Sequence, residues 1–370
     1  MNDDSKTLPA TERVSRASVT LRDIAEASGV SLSTVSRVLN NAPSRVPIPP
    51  GTRQRIESEA RRLGYRPNPF ARALQGAPTM LLGAVVRDFS DPFHASAIEQ
   101  LAVEAMSRGY NIVLGHIRGR DNEDLTLPSV LEPRQTDAVL LFGEMEDQPR
   151  LLSDLKEARQ PVVALWQGAI PARFPTVDVD ERGGIRIGLE HLVELGHRRI
   201  GFASARLPGG NPAREEAYVE FMSEHLGGVP DGYLQHCESS MIGGAQAIDV
   251  MLGLEDPPTA VACSTDAVAV GVSHGAYDKG VEVPRQLSIV GFDDLMVARF
   301  SNPALTTLHM PTAEIVAEAV RMALEFIGDP AAAAHPTLKV FEPTLVRRAS
   351  TGPPRPASGR RWTMSVMDQR

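Results

Sequence analysis

Between Ser31 and Asn40 the chain reads SLSTVSRVLN, and at helical spacing its polar side chains fall together. Leu32, Ser33, Ser36, Arg37 and Asn40 share an outer face, while Val35, Val38 and Leu39 share an inner one. Small hydroxyls beside one arginine can hydrogen-bond to the edges of base pairs in a major groove, and arginine can pair with guanine through two such bonds. Further on, Arg53, Arg55, Arg61 and Arg62 stud the outside of another helical segment. Cations so placed suit phosphates, which fix register without reading sequence. Catalytic patterns are scarce. Gly271-Val272-Ser273-His274-Gly275 matches the G-x-S-x-G nucleophile pattern, but inside a predicted helix rather than at a strand-to-helix elbow. No GxGxxG, Walker A or HExxH occurs. Cys237 and Cys263 have no metal or redox spacing and read as reduced thiols. No catalysis, metal or cofactor is expected.

The elements that must hold the first face are legible nearby. Thr20 offers an N-cap with Asp23 three residues on, and Leu21, Ile24 and Ala25 form one helical face. Ser28-Gly29 breaks this helix. Ser31 caps the next, with Val30 and Val35 at hydrophobic-staple spacing. Two short helices joined through a glycine turn suit a helix-turn-helix, although a plain helical hairpin in a bundle has the same pattern. After a Pro-rich loop, Thr52–Leu63 resumes helical period and Gly64 stands where a C-terminal glycine belongs. Asn68-Pro69 then starts a helix that has only Phe70–Gln75 to run, too short to be stable alone.

Charge divides the same way. Residues 1–76 carry 12 Lys+Arg against 7 Asp+Glu, whereas the whole chain of 370 residues has a net charge of −8. A basic head on an acidic body is the footprint of nucleic-acid binding, or else a solvated basic face. The length predicts two or three cores. No apolar run approaches the roughly 20 residues that span a bilayer, and the polar start lacks a secretory signal. A cytoplasmic protein without membrane contact is expected.

From Met80 the pattern changes. Apolar runs Leu81–Val86, Asn111–His116, Ala138–Gly143 and Pro161–Trp166 alternate with helices such as Ser96–Arg108. A second set comprises Thr176–Asp180, Arg199–Ser204, Thr259–Thr265 and Leu287–Asp294. Such alternation predicts parallel sheets covered on both faces, in two doubly wound lobes, with a ligand at the carboxyl ends of the strands.

TLRDIAEASGVSLSTVSRVLN (Thr20–Asn40) with YRPNPFARAL (Tyr65–Leu74) resembles the DNA-binding head and hinge helix of the lactose/purine/galactose repressor (LacI/GalR-type) family. The resemblance continues through Arg182–Phe202, Ser264–Gly271, Ile289–Asp294 and Asn302–Leu308, and reaches the ending Phe341–Thr351. It implies an all-α helix-turn-helix head on an α/β core of two parallel-sheet lobes of periplasmic-binding-protein type. The implied organisation is an N-terminal arm 1–18, a head 19–66, a hinge helix 67–77, a core 78–351 and a flexible tail 352–370. The first lobe would take residues 78–175 and 309–336, the second 176–308 and 337–351.

By the same resemblance, DNA contacts come from Thr20, Ser31, Leu32, Ser33, Thr34, Ser36, Arg37 and Asn40. Asn68, Arg72 and Leu74 add the hinge, Leu74 as a wedge in the minor groove. Effector contacts are expected from Asp91, Phe93, His94, Trp166, Arg214, Thr265, Asp266 and Asp293. Arg214 could clamp a diol or carboxylate, or make an interlobe salt bridge. Asp266 and Asp91 could instead cap helices, and Phe93 and Trp166 could simply be packed. Ala217 replaces a family glycine, Thr265 an asparagine and Trp166 an aspartate. The implied function is a dimeric transcription repressor reading a pseudo-palindromic operator, switched by a small molecule, most naturally a carbohydrate. An activator, a dual regulator or a sugar-binding transport component are the competing readings.

Overall fold

A computed structural model describes residues 19–39, 47–65, 78–87, 89, 91–117, 125–131, 135–145, 147–158, 160–168, 173–205 and 212–354. The chain divides into two compact units at Thr79/Met80. In the first, helices α1 (Leu21–Ser28), α2 (Leu32–Leu39) and α3 (Pro50–Leu63) surround a small core of Ile24, Val35, Val38, Ile56 and Ala60. The caps are as the residue types require. Thr20 and Asp23 form a reciprocal capping box, with the Asp23 N–H donating to Thr20 Oγ1 and the Thr20 N–H to Asp23 Oδ2 at 2.7 Å. Ser31 Oγ accepts the Thr34 N–H at 3.2 Å. Gly29 and Gly64 end α1 and α3 at φ 67° and 70°, the left-handed conformation that glycine adopts without strain. The third helix starts two residues earlier than its apolar spacing predicts, because Pro50 supplies a first-turn position that needs no N–H.

The second unit holds two six-stranded sheets. The first lobe orders its strands β11-β5-β4-β3-β1-β2, all parallel, from β1 (Leu81–Val86), β2 (Asn111–His116), β3 (Ala138–Phe142), β4 (Val162–Leu165), β5 (Thr176–Val179) and β11 (Leu338–Phe341). The second lobe orders its own β12-β10-β9-β8-β6-β7. These are β6 (Ile200–Ala205), β7 (Leu234–Cys237), β8 (Ala260–Cys263), β9 (Ser288–Asp293), β10 (Thr306–His309) and β12 (Thr344–Val346). Only β12 runs antiparallel to its neighbour. Central strands such as β3 and β9 are buried along their whole length, as strands covered on both faces must be.

The lobe crossings differ from the sequence reading. Thr176–Val179 pairs with β4, and Leu338–Phe341 pairs with β5, so both strands complete the first lobe's sheet rather than the second's. The chain crosses to the second lobe near Asp180, returns to the first between His309 and Leu338, and crosses again between Phe341 and Thr344. Periodicity cannot assign an apolar strand to a sheet, since it records burial and not partner. The helix following β1 is also longer than predicted: α4 is Pro92–Ser107, opened by Asp91 and a first-turn proline.

The glycines of the G-x-S-x-G match have a packing role. They lie within α10 (Asp266–Asp278), which crosses α9 (Met241–Leu252) closely. A Cβ on Gly271 would stand 1.9 Å from the Met241 carbonyl oxygen, and one on Gly244 would stand 2.1 Å from that of Val268. Both obstacles are backbone, which cannot swing aside. Gly271→Ala is therefore expected to destabilise the core by about 1–3 kcal/mol. Gly328→Ala, at a helix end where nothing lies within 4 Å, should leave the melting temperature unchanged or slightly raised. Calorimetry on the two variants checks the contrast; equal melting temperatures would refute it.

Candidate functional site

The two sheets aim the carboxyl ends of their strands at a shared cleft. Arg87 follows β1, Gly143 and Glu144 follow β3, and Trp166 follows β4. From the other side come Ser204 and Ala205 at the end of β6, Ser264 and Thr265 after β8, and Asp293 closing β9. Helix starts supply the rest: Asp91, Phe93 and His94 at α4, Glu181 at α7 (Glu181–Glu194), and Arg214 and Glu215 at α8 (Ala213–Leu226). Together they line a cavity of about 310 Å3, the size of a small sugar-like ligand.

Arg214 organises the second lobe's wall. Its Nε and Nη2 both donate to Glu181 Oε1, at 3.1 and 2.8 Å, and its Nη1 donates to the Ser264 carbonyl. The guanidinium lies 4.0 Å from the centroid of the Phe292 ring. Its Nη1 stands 3.8 Å from Asp293 Oδ1. Asp293 is buried and adopts φ 119°, a conformation that costs a side-chain-bearing residue about 1–3 kcal/mol. Burial, aided by the charges of Asp266 and Asp91 and opposed by Arg214, pushes its carboxyl well above the usual range.

The first lobe contributes aromatic surface. Trp166, at φ 55°, meets the Phe93 ring edge-on at 4.9 Å between centroids and lies 5.6 Å from Phe142. Its buried indole N–H has no hydrogen-bond partner among the described residues. Asp91 Oδ1 accepts the Phe93 N–H at 2.8 Å, so this aspartate caps α4 and lines the cleft at once. Arg87 grips Asp147 with Nη1 and Nη2 and donates to the Glu144 carbonyl, bracing the rim.

The head presents a second surface. Leu32 is 47% exposed, at the start of the outer face of α2. Ser31 and Ser33 are exposed, and Ser36 and Arg37 half-buried, all on the outside of α2. The Arg37 Nε donates to the Ser33 carbonyl at 3.2 Å.

These features agree with the comparisons. The model for "Bacterial regulatory proteins, lacI family" matches residues 20–68, and that for "Periplasmic binding protein-like domain" matches residues 189–351. The transcriptional regulator GalR of Escherichia coli is 32% identical over 337 residues, covering 90% of this chain and 96% of its own. The transcriptional repressor CytR of Escherichia coli is 32% identical over 313 residues, covering 83% and 89%. The chain belongs to the lacI family. It is a DNA-binding transcriptional regulator. The lac repressor dimer, solved on operator with the anti-inducer ONPF, superposes with a TM-score of 0.80 at 23% identity, over 90% of this chain and 99% of that one.

Of the residues predicted for effector contact in this lacI-family regulator, Asp91, Phe93, His94, Trp166, Arg214, Thr265 and Asp293 all line the cavity. Asp266 does not. It is fully buried behind the wall, where Oδ1 accepts the Thr307 hydroxyl and Oδ2 the Leu295 N–H at 2.8 Å, and the helix cap falls to Thr265 instead. Arg214 pairs within its own lobe rather than across the cleft. Arg87, Glu144, Glu181, Ser204, Glu215, Ser239 and Ser264 were missed. The signal that could have found them is positional: all but Ser239, which follows β7, end a strand or open the next helix at the predicted carboxyl-end rim. In the head, Thr20, Ser31, Leu32, Ser33, Thr34, Ser36 and Arg37 lie on α2 or at the helix starts, whereas Asn40, Asn68, Arg72 and Leu74 fall outside the described residues.

Behind the cleft, Asp178 on β5 is buried, with Oδ1 accepting the Val179 N–H at 2.8 Å and Oδ2 without a hydrogen-bond partner among the described residues. Burial, with the Glu181 charge adding to it, lifts its carboxyl to about 7. An unfolded aspartate titrates near pH 4. The folded chain therefore retains a proton that the unfolded chain has lost, so this stability is complete below about pH 4 and fades as pH rises to about 7. Asp178→Asn should flatten the fall in melting temperature between pH 5 and pH 8; parallel curves for variant and parent would refute the assignment.

Proposed function

We propose that this regulator is a cytoplasmic, homodimeric repressor whose affinity for a pseudo-palindromic operator is set by a small, carbohydrate-like molecule bound between the lobes. The observation that carries the reading is the cleft itself. A guanidinium, a buried carboxylate and a pair of aromatic rings converge from two lobes on one cavity, which suits a polyol with an apolar face. Ligand contacts made by both lobes differ between open and closed arrangements, and differential affinity is what couples a ligand to a distant surface. The reading assigns residues 19–66 to operator binding, 67–77 to a hinge that folds over the minor groove with Leu74 as its wedge, and 78–351 to the sensor.

Each head would read one half-site, Ser33 and Arg37 contacting base edges and the arginines of α3 contacting phosphates. In gel retardation, Arg37→Ala should weaken specific binding by about 1–3 kcal/mol while barely changing binding to unrelated DNA, and Arg61→Ala should weaken both alike. Retardation of no fragment from the regulator's own upstream region at low salt would sink the operator reading.

Support for a second copy comes from the second lobe. Ile242, Tyr277, Met296 and Phe300 are 68%, 78%, 72% and 76% exposed, on α9, α10 and α11 (Met296–Phe300). Large apolar side chains so exposed on neighbouring helices mark an interface. Phe300→Glu should convert a dimer to a monomer in sedimentation, with its circular dichroism unchanged; a variant that remains dimeric would refute this placement.

A further inference from the structure

We propose that the cleft selects a cationic effector, an amino sugar or similarly small aminated polyol, over neutral and above all over phosphorylated or carboxylated sugars. The inference rests on the effector reading of the cleft and names its ligand class.

Charge balance is the first argument. Among the described residues, five carboxylates line the cavity, Asp91, Glu144, Glu181, Glu215 and Asp293, against two guanidiniums. Both guanidiniums already have carboxylate partners, Arg87 in Asp147 and Arg214 in Glu181. Among the described residues, an incoming phosphate would meet an acidic rim and no uncommitted arginine. Arginine clamps suited to anions present their forks to the ligand; here the forks point into protein.

Two carboxylates are undercompensated, and they come from opposite lobes. Asp293 has a side chain 5% exposed, yet its nearest cation among the described residues is Arg214 at 3.8 Å, beyond hydrogen-bond range. Among the described residues Asp91 makes no ion pair, only the cap to the Phe93 N–H through Oδ1. The two repel one another across the cavity, which adds to the cost of ionising Asp293. A buried carboxylate so placed gains most from a cation delivered by a ligand. An ammonium held between them would bind both lobes and draw the cleft closed.

The aromatic wall points the same way. Phe93 and Trp166 flank this space, and ammonium groups are attracted to ring faces while anions are repelled. Among the described residues no three histidine, cysteine or acidic side chains converge as metal ligands would, so an organic cation fits better than a metal ion.

Calorimetric titration of the full chain with nine probes tests this: glucosamine, galactosamine and mannosamine, their parent hexoses, and the hexose 6-phosphates. At least one amine should bind about tenfold more tightly than its parent hexose, and no phosphate should bind better than its parent. Asp91→Asn and Asp293→Asn, checked for folding by circular dichroism, should each lower the ratio of amine to hexose affinity towards one, whatever they do to hexose affinity itself; an unchanged ratio in both would overturn the assignment. Ionisation of Asp293 on binding, where it faces Arg214, Asp266 and Asp91, should also make the enthalpy at pH 7 differ between phosphate and Tris buffers. A preferred hexose or phosphate overturns the amine assignment and leaves the effector reading intact. Silence from all nine probes also overturns it. The effector reading falls as well only if a low-molecular-weight cell extract fails to alter operator retardation.

Discussion

Much of the cleft depends on how one guanidinium is shared. Arg214 is held over Phe292, tied to Glu181 at the start of α7 and to the carbonyl of Ser264 after β8. It therefore links three separate segments of the second lobe at the point where they face the cavity. Asp293 and, at longer range, Glu144 add to the same field. A buried ion pair of this kind contributes little net stability, because desolvation offsets the attraction. What it does provide is geometry: removing either partner would strand a charge, so the arrangement has few alternatives. Asp293 keeps an unfavourable φ within it, and Trp166 does the same on the opposite wall. Backbone strain on both sides of one cavity is the pattern expected of a site organised for a ligand.

The sheets explain why such groups meet at all. Parallel strands all end on one side, and each is followed by a loop and a helix start, so every βα unit offers one or two side chains to the same rim. Chain crossings near Asp180 and after Phe341 bring two such rims face to face. The first lobe supplies the rings of Phe93, His94 and Trp166 beside Arg87, Asp91 and Glu144, and the second supplies charges and hydroxyls. A ligand must satisfy both, which makes lobe arrangement sensitive to its presence.

The head is built on other terms. Its core is five buried side chains, and its helices rely on Thr20, Asp23, Ser31, Gly29 and Gly64 to complete their ends. Local signals of this kind are short-range and chemical, so they survive in the sequence without reference to the rest of the molecule. On the outer face of α2, Ser31, Leu32 and Ser33 are exposed.

That difference separates what was legible from what was not. The amino-acid sequence alone determined the three helices of the head, the caps at Thr20, Ser31, Gly29 and Gly64, and the alternation of strands and helices, and its resemblance to the family pointed to seven of the eight side chains expected at the cleft. Each of these depends on neighbours within a few residues, or on motifs that carry their own spacing. Tertiary structure decided the rest. Thr176–Val179 and Leu338–Phe341 joined the first lobe because hydrogen-bond partners, not periodicity, determine sheet membership. Asp266 turned inward because Thr307 and Leu295, distant in sequence, offered its oxygens better partners than the cavity did. The acidic surplus around Asp91 and Asp293 was likewise invisible beforehand, since electrostatic balance belongs to a volume in space and not to any stretch of chain.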